Sequence, residues 1–326
     1  MNVIPMKADD FTSDQEVRWC PGCGDYAILK AVRNVLAEIG RPPDEVVFVS
    51  GIGCAARLPY YLTTYGFHTI HGRAPAVATG VKLANPSLDV WVIGGDGDML
   101  SIGGNHTLHA LRRNVDMNIL MFNNAIYGLT KGQYSPTSPV GTRSPSTPGG
   151  SVEQPVNAAL FALGSGARFV ARGADTLQKH LPQVLRRAHG HKGTSFVEIL
   201  QNCIVYNDGA FGAINDRSES HNATIRLEHG QPMVFGKDDD KGLVFDERRT
   251  AFEVVSLADV PKDRLAVHDE TSMERAFALA RLEQPRFPVA LGVLFACDAP
   301  EFTEARNAGK SRGPWNRAAL KDLLQR

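Results

Sequence analysis

The chain has 326 residues, 43% of them hydrophobic, enough for one large α/β domain or two smaller ones around a well-buried core. Its 35 basic residues balance its 35 acidic ones, so no net positive field exists to hold a nucleic acid or an anionic membrane, and neither partner is expected. No apolar run approaches the roughly 20 residues of a spanning helix, and the opening MNVIPMKADDFTSDQE lacks a signal-peptide core, so the expected location is cytoplasmic.

In chain order, the first signal is Cys20-Pro-Gly-Cys-Gly-Asp25, a cysteine turn leading straight into a helix. Ala27, Ile28, Ala31, Val32, Val35, Leu36 and Ile39 share one face of that helix, and Gly40 ends it. Apolar, often β-branched runs at 46–49, 90–93, 119–122, 169–171 and 195–200 then alternate with helix-like segments. That alternation predicts an α/β fold, a parallel sheet with helices on both faces. Residues 132–155 are crowded with Ser, Thr, Pro and Gly and read as a long functional or partner-contacting loop. Beyond about residue 205 the alternation weakens, and Met233-Val-Phe-Gly and Leu243-Val-Phe-Asp flank a charged turn, 237–241, like a hairpin. The expected division is a main domain over 1–210 and an α+β C-terminal extension over 211–326, packed on that domain or on a partner.

Two motifs fall at neighbouring strand ends. Gly94-Gly-Asp-Gly-Asp98 follows the run 90–93 and precedes a helix opened near Ser-Ile-Gly-Gly, and Phe122-Asn-Asn-Ala-Ile-Tyr-Gly128 ends the next run. Ligands of open α/β sheets bind at the carboxyl ends of strands, and phosphates bind at helix amino ends. Asp96 and Asn124 can then offer side-chain oxygens, and Ile126 its carbonyl, to one hard cation such as Mg2+, which keeps phosphate oxygens as further ligands. A lone Gly-Asp-Gly is as readily a simple turn. Paired with Asn-Asn 28 residues after Asp96, it resembles the diphosphate motif of thiamine-diphosphate enzymes, which implies that Gly97, Asp98, Gly128 and Leu129 line the cofactor.

Five cysteines, Cys20, Cys23, Cys54, Cys203 and Cys297, are too few and scattered for a disulfide scaffold. The Cys-x-x-Cys pair alone leaves half a zinc site, a redox pair or incidental thiols open, while single cysteines after strand-like runs suit an iron-sulfur cluster that gathers remote thiolates.

Trp19-Cys-Pro-Gly-Cys-Gly24, Ser50-Gly-Ile-Gly-Cys54, His71-Gly-Arg-Ala74, Gly95-Asp-Gly-Asp98 and Tyr127-Gly-Leu-Thr-Lys-Gly-Gln133 together resemble the β subunit of 2-oxoacid:ferredoxin oxidoreductases over about residues 15–210. The resemblance is greatest to the 2-oxoglutarate-specific members. It implies a thiamine-diphosphate-binding fold, one 4Fe-4S cluster on Cys20, Cys23, Cys54 and Cys203, and Mg2+ on Asp96, Asn124 and Ile126. It further implies thiamine contacts from Ile52, Gly53, Cys54, Ala55, His71, Gly95, Gly97, Asp98, Asn124, Gly128, Leu129 and Thr130; Ala55-Ala56 departs from the hydroxyl residues often seen there. Cys297 lies outside the matching region and reads as a buried small apolar residue.

The activity so implied is coenzyme A-dependent oxidative decarboxylation of a 2-oxoacid, with electrons leaving through the cluster to ferredoxin; run in reverse it fixes carbon dioxide. The glutamate that activates the aminopyrimidine belongs to a separate α subunit in this family, so an (αβ)2 assembly is expected and the chain alone is expected to be inactive. For 2-oxoglutarate, the second carboxylate calls for a cation, with Arg57, Arg73 and Lys131 as candidates and His71 as candidate proton donor. Some relatives of broader range carry lysine where Arg57 stands, so pyruvate or an aryl pyruvate is the alternative substrate. His106 and His109, one helical turn apart, read as helix-face residues rather than metal ligands. Rival readings are a non-redox thiamine enzyme with ordinary core thiols and a zinc-stabilised interaction subunit.

Overall fold

The computed structural model describes residues 6–216, 218–308, 321, 322 and 325. Its centre is an eight-stranded sheet. The strands are β1 (Val46–Ser50), β2 (Tyr65–His68), β3 (Asp89–Gly95), β4 (Met117–Asn123), β5 (Phe169–Ala174), β6 (Thr194–Leu200), β7 (Thr224–Arg226) and, after a smaller sheet, β11 (Val289–Ala296), in the order β2-β1-β3-β4-β6-β5-β11-β7. The first six pair in parallel, whereas β11 runs antiparallel to β5. Every residue of β1, β4, β5 and β6 is buried, as a sheet covered on both faces requires.

The covering helices follow from the sequence. Helix α1 (Asp25–Ile39) buries Ile28, Leu29, Ala31, Val32, Val35 and Leu36 and stops at Gly40, whose φ of 69° favours glycine. It packs with α5 (Leu181–Gly190) on one face of the sheet. Helices α2 (Ala74–Ala84), α3 (Gly104–Arg113) and α4 (Ala158–Gly164) cover the other. Each face thus has its own apolar core: Ile28, Phe48, Trp91 and Phe169 lie in one, Val92, Met121, Phe196 and Leu294 in the other. Burying each such side chain contributes about 1.5–3 kcal/mol.

The expected hairpin is present as β8 (Val234–Phe235) and β9 (Lys241–Asp246), with Phe235 opposite Lys241, so Lys241 belongs to the strand rather than to the turn. A third strand, β10 (Ala251–Ser256), completes this small antiparallel sheet. Described residues beyond 211 join the main unit: β7 and β11 extend the main sheet, and Ile225, Leu279 and Leu294 join its core. No described helix is long and apolar enough to cross a membrane.

Candidate active site

The carboxyl ends of β1, β3, β4 and β6 lie side by side at one edge of the sheet, and the loops leaving them carry much of the site chemistry, joined by Cys20 and Cys23 ahead of α1 and by His71 after β2. Two adjoining cavities open there.

The first, about 120 Å³, is lined by Ile52, Gly53, Cys54, Ala55, His71, Gly95, Asp96, Gly97, Asp98, Phe122, Asn124, Ile126, Tyr127, Gly128, Leu129, Thr130 and Gln201. All twelve residues expected to touch thiamine are among them, as are the three expected to hold the cation. Asp98 ties the loops together. Its Oδ1 accepts the Ile52 amide at 3.1 Å, the Gly72 amide at 2.8 Å and the His71 Nδ1 proton, which leaves His71 Nε2 as its other polar atom. A Cβ on Gly51 would lie 1.8 Å from Asp98 Oδ2, so glycine there is a steric requirement of this carboxylate. Beyond Asp98 an irregular turn, Asp98–Ile102, leads into α3, the helix expected behind the motif.

Asp96 is 1% exposed, and its Oδ2 accepts from the Ser135 hydroxyl at 2.5 Å and the Thr137 hydroxyl at 2.6 Å. Burial holds its carboxyl above the ordinary range despite these donors. Asn124 turns its Oδ1 to the Ile126 amide at 3.2 Å, and between them Ala125 takes a φ of 53°, uncommon for a residue with a side chain. The lining thus carries two buried carboxyl groups and neither lysine nor arginine. Such a donor set fits a divalent cation with phosphate oxygens completing its shell.

The second cavity, about 250 Å³, is lined by Cys20, Cys23, Cys54 and Cys203 together with Trp19, Arg57, Gln201 and Tyr206 among others. Cys20 and Cys23 are joined by a turn in which the Cys23 amide donates to the Cys20 carbonyl, Cys54 follows β1, and Cys203 follows β6. A Cβ on Gly128 would lie 3.5 Å from Cys203 Sγ and 3.7 Å from Cys54 Sγ, so these two sulfurs flank the same glycine. Burial, then Asp25 and the Cys203 and Cys20 thiols, push the Cys54 thiol up to about 11, and burial followed by Asp25 raises Cys23 further. Thiols so placed ionise only beside added positive charge, which a metal group supplies. Among the described residues no three His, Cys, Asp or Glu side chains converge on one metal-ion position. The four cysteines surround a space instead, and that fits a polynuclear cluster. Cys54, Asn124, Gly128, Leu129 and Gln201 line both cavities.

Residues 51–199 match the model of the thiamine pyrophosphate enzyme C-terminal TPP-binding domain. The 2-oxoglutarate oxidoreductase subunit KorB of Mycobacterium tuberculosis is 50% identical over 98% of this chain and 87% of its own length. The chain belongs to the 2-oxoacid:ferredoxin oxidoreductase β-subunit family. It is therefore part of an oxidoreductase acting on 2-oxoacids, and the β-subunit naming implies an α partner. The 2-oxoacid:ferredoxin oxidoreductase β subunit of Saccharolobus solfataricus is 48% identical over 58% of this chain and 63% of its own length. Among solved structures, a 2-oxoglutarate:ferredoxin oxidoreductase from Magnetococcus marinus, with 2-oxoglutarate, coenzyme A and succinyl-CoA bound, superposes with a TM-score of 0.78 at 33% identity, covering 98% of this chain and 96% of that one.

Within this β-subunit frame the candidate substrate cations lie apart from the thiamine cavity. Arg57 lines the cysteine cavity, its guanidinium donating to the Arg18 carbonyl at 2.9 Å; Arg73 lines neither cavity and reaches the Ile102 carbonyl at 3.4 Å; Lys131 is exposed. His106 and His109 sit half-buried on α3, and Cys297 is half-buried near Arg168. Sequence reasoning missed Ser135 and Thr137, whose hydroxyls reach Asp96 from the long loop, and Gln201, whose amide lies 3.4 Å from Cys23 Sγ. Gln201 had a signal, since it stands at the end of β6 two residues before Cys203.

Proposed function

We propose that the chain is the thiamine-diphosphate- and cluster-binding subunit of a 2-oxoglutarate:ferredoxin oxidoreductase, converting 2-oxoglutarate and coenzyme A to succinyl-CoA and carbon dioxide with electrons passed to ferredoxin through one 4Fe-4S cluster. One observation carries this reading: the four-cysteine cavity and the cavity built on Asp96 and Asn124 share a wall that includes Cys54 itself. An electron path between two bound groups would be as short as one loop. Relatives named for 2-oxoglutarate, and the similar structure holding 2-oxoglutarate and coenzyme A, support the substrate and co-substrate.

In this reading Cys20, Cys23, Cys54 and Cys203 hold the cluster, and Asp96, Asn124 and the Ile126 carbonyl hold Mg2+. Bound thiamine diphosphate would supply the carbon nucleophile and the electron sink that make loss of carbon dioxide feasible. The chain's own residues bind and orient: Asp98 fixes the loops carrying Ile52 and Gly72 and sets the His71 ring, whose other nitrogen is free to hold or release a proton. Arg57 is the preferred contact for the distal carboxylate, because it alone of the three cations lines one of the two cavities. At about 120 Å³ the thiamine cavity is smaller than the roughly 300 Å³ at the lower end of enclosed ligand sites. It would hold one end of the cofactor, leaving the other to the α partner of an (αβ)2 enzyme.

The test is a substrate panel on the assembled α and β subunits with coenzyme A and ferredoxin. The highest kcat/KM is expected with 2-oxoglutarate, with Arg57→Ala weakening that preference by about tenfold or more. Faster turnover of pyruvate or an aryl pyruvate would reassign the substrate.

A further inference from the structure

A buried ion pair lies behind the cation site, where the chemistry above makes no use of it. Arg172 on β5 and Glu198 on β6 are register partners, 5% and 3% exposed, and Arg172 Nε donates to Glu198 Oε2 at 2.7 Å. The other carboxylate oxygen, Oε1, accepts from Asn123 Nδ2 at 2.7 Å. Asn123 Oδ1 accepts the Ala125 amide at 3.1 Å and lies 2.9 Å from Thr137 Oγ1, whose single proton goes to this oxygen or to Asp96 Oδ2 at 2.6 Å, so the two oxygens compete for it. A chain of polar contacts thus runs from β5 across β6 and β4 to Asp96 at the end of β3.

A carboxylate can only accept, so Glu198 decides which way the Asn123 amide points. The NH2 group must face Glu198, and the oxygen is thereby presented to Ala125 and Thr137. The Ala125 amide so held belongs to the residue with the left-handed φ, the kink that separates Asn124 from Ile126. A separate cavity of about 400 Å³ is lined by Arg172, Glu198, Asn123 and Thr137, so this polar chain borders open space on one side. Burying two charges is costly, and apolar residues would serve the sheet at least as well.

We propose that Glu198, braced by Arg172, is a positioning residue for the magnesium-diphosphate site, acting through Asn123 on the Asn124–Ile126 kink and through Thr137 on Asp96. This rests on the reading that Asp96, Asn124 and Ile126 hold the cation.

The experiment uses the assembled αβ enzyme stripped of magnesium and thiamine diphosphate by a chelator that leaves the iron content intact. Magnesium is titrated at saturating thiamine diphosphate, with cofactor binding followed by tryptophan fluorescence and melting temperature recorded alongside. Glu198→Gln is expected to weaken the apparent magnesium affinity by about tenfold to a hundredfold, the usual cost of removing an outer partner of a metal ligand. Thr137→Val is expected to weaken it as well, and the double variant should lose less than the product of the two single losses, because both act on one chain of contacts. Arg172→Gln with Glu198→Gln removes both charges together, and should show the same magnesium defect if Glu198→Gln alone does not fold. Unchanged magnesium affinity in the folded Glu198 variants, or losses that simply multiply, would overturn the proposal. An unmodified enzyme that binds thiamine diphosphate without any magnesium dependence would overturn the cation-site reading beneath it.

Discussion

Individual residues at this sheet edge are fixed by contacts that leave little freedom, and two of them give direct predictions. A Cβ on Gly97 would lie 2.2 Å from the Tyr127 ring, whose hydroxyl donates to the Gly97 carbonyl at 3.1 Å. Gly97→Ala should therefore cost about 1–3 kcal/mol of stability and weaken thiamine diphosphate binding. Thermal melting with and without the cofactor measures both, and a variant with the parent's melting temperature and affinity would show that the tyrosine gives way. His71 is oriented by Asp98 through Nδ1. If its free nitrogen handles a proton, His71→Ala lowers kcat by about 100-fold or more while cofactor binding persists. Loss of binding with little change in kcat would make His71 a wall of the cavity instead.

At the scale of elements, the helices and central strands were legible because their signals are local and periodic. The seven apolar residues assigned to the α1 face from sequence fall on or beside its buried side, and the five runs became β1, β3, β4, β5 and β6. The edge strand β2 was not legible, since Tyr65, Gly66, Phe67 and His68 are all exposed and carry no burial pattern. β11 was missed for another reason: Gly292, with a φ of 118°, interrupts its apolar run. Several motif residues could be placed because they come shortly after a legible strand, Cys54 after β1, Asp96 and Asp98 after β3, Asn124 after β4 and Cys203 after β6, while Cys20 and Cys23 sit just ahead of α1. Ser135 and Thr137 could not, because a hydroxyl in a Ser/Thr-rich loop looks like every other hydroxyl until the loop is seen folded onto Asp96. Their contacts predict that cleavage within 132–155 by a protease slows when magnesium and thiamine diphosphate bind, as fragment analysis over time would show; unchanged cleavage would count against a closing role. The start of α5 carries a different consequence. Burial, followed by nearby Arg226, lowers His180 from its ordinary 6.5 to about 4. Between these values the unfolded chain takes up a proton that the folded chain refuses, so stability falls as pH drops from 6.5 toward 4. His180→Gln should flatten the melting temperature over that window, and an identical pH slope in parent and variant would remove His180 as the cause.

For the whole molecule, the two cavities and their shared wall make one site from the loops after β1, β3, β4 and β6, the turn ahead of α1 and the loop after β2, and the sheet brings most of them together. The sequence motifs named most of the lining residues of that site but not Gln201, while of the arginine and lysine candidates for substrate contact only Arg57 lines a cavity. The chain alone is expected to show no turnover until the α subunit is added. The most direct test of the central claim is to purify the chain with its α partner in the absence of oxygen. Iron and acid-labile sulfide are then measured, with the visible spectrum before and after 2-oxoglutarate and coenzyme A. About four irons per chain beyond those of the α subunit, with absorbance that bleaches on adding substrate and is reduced when Cys203→Ser replaces the parent, is the predicted result. A colourless, iron-free β chain that still binds thiamine diphosphate would contradict the account and leave a thiamine enzyme without redox chemistry.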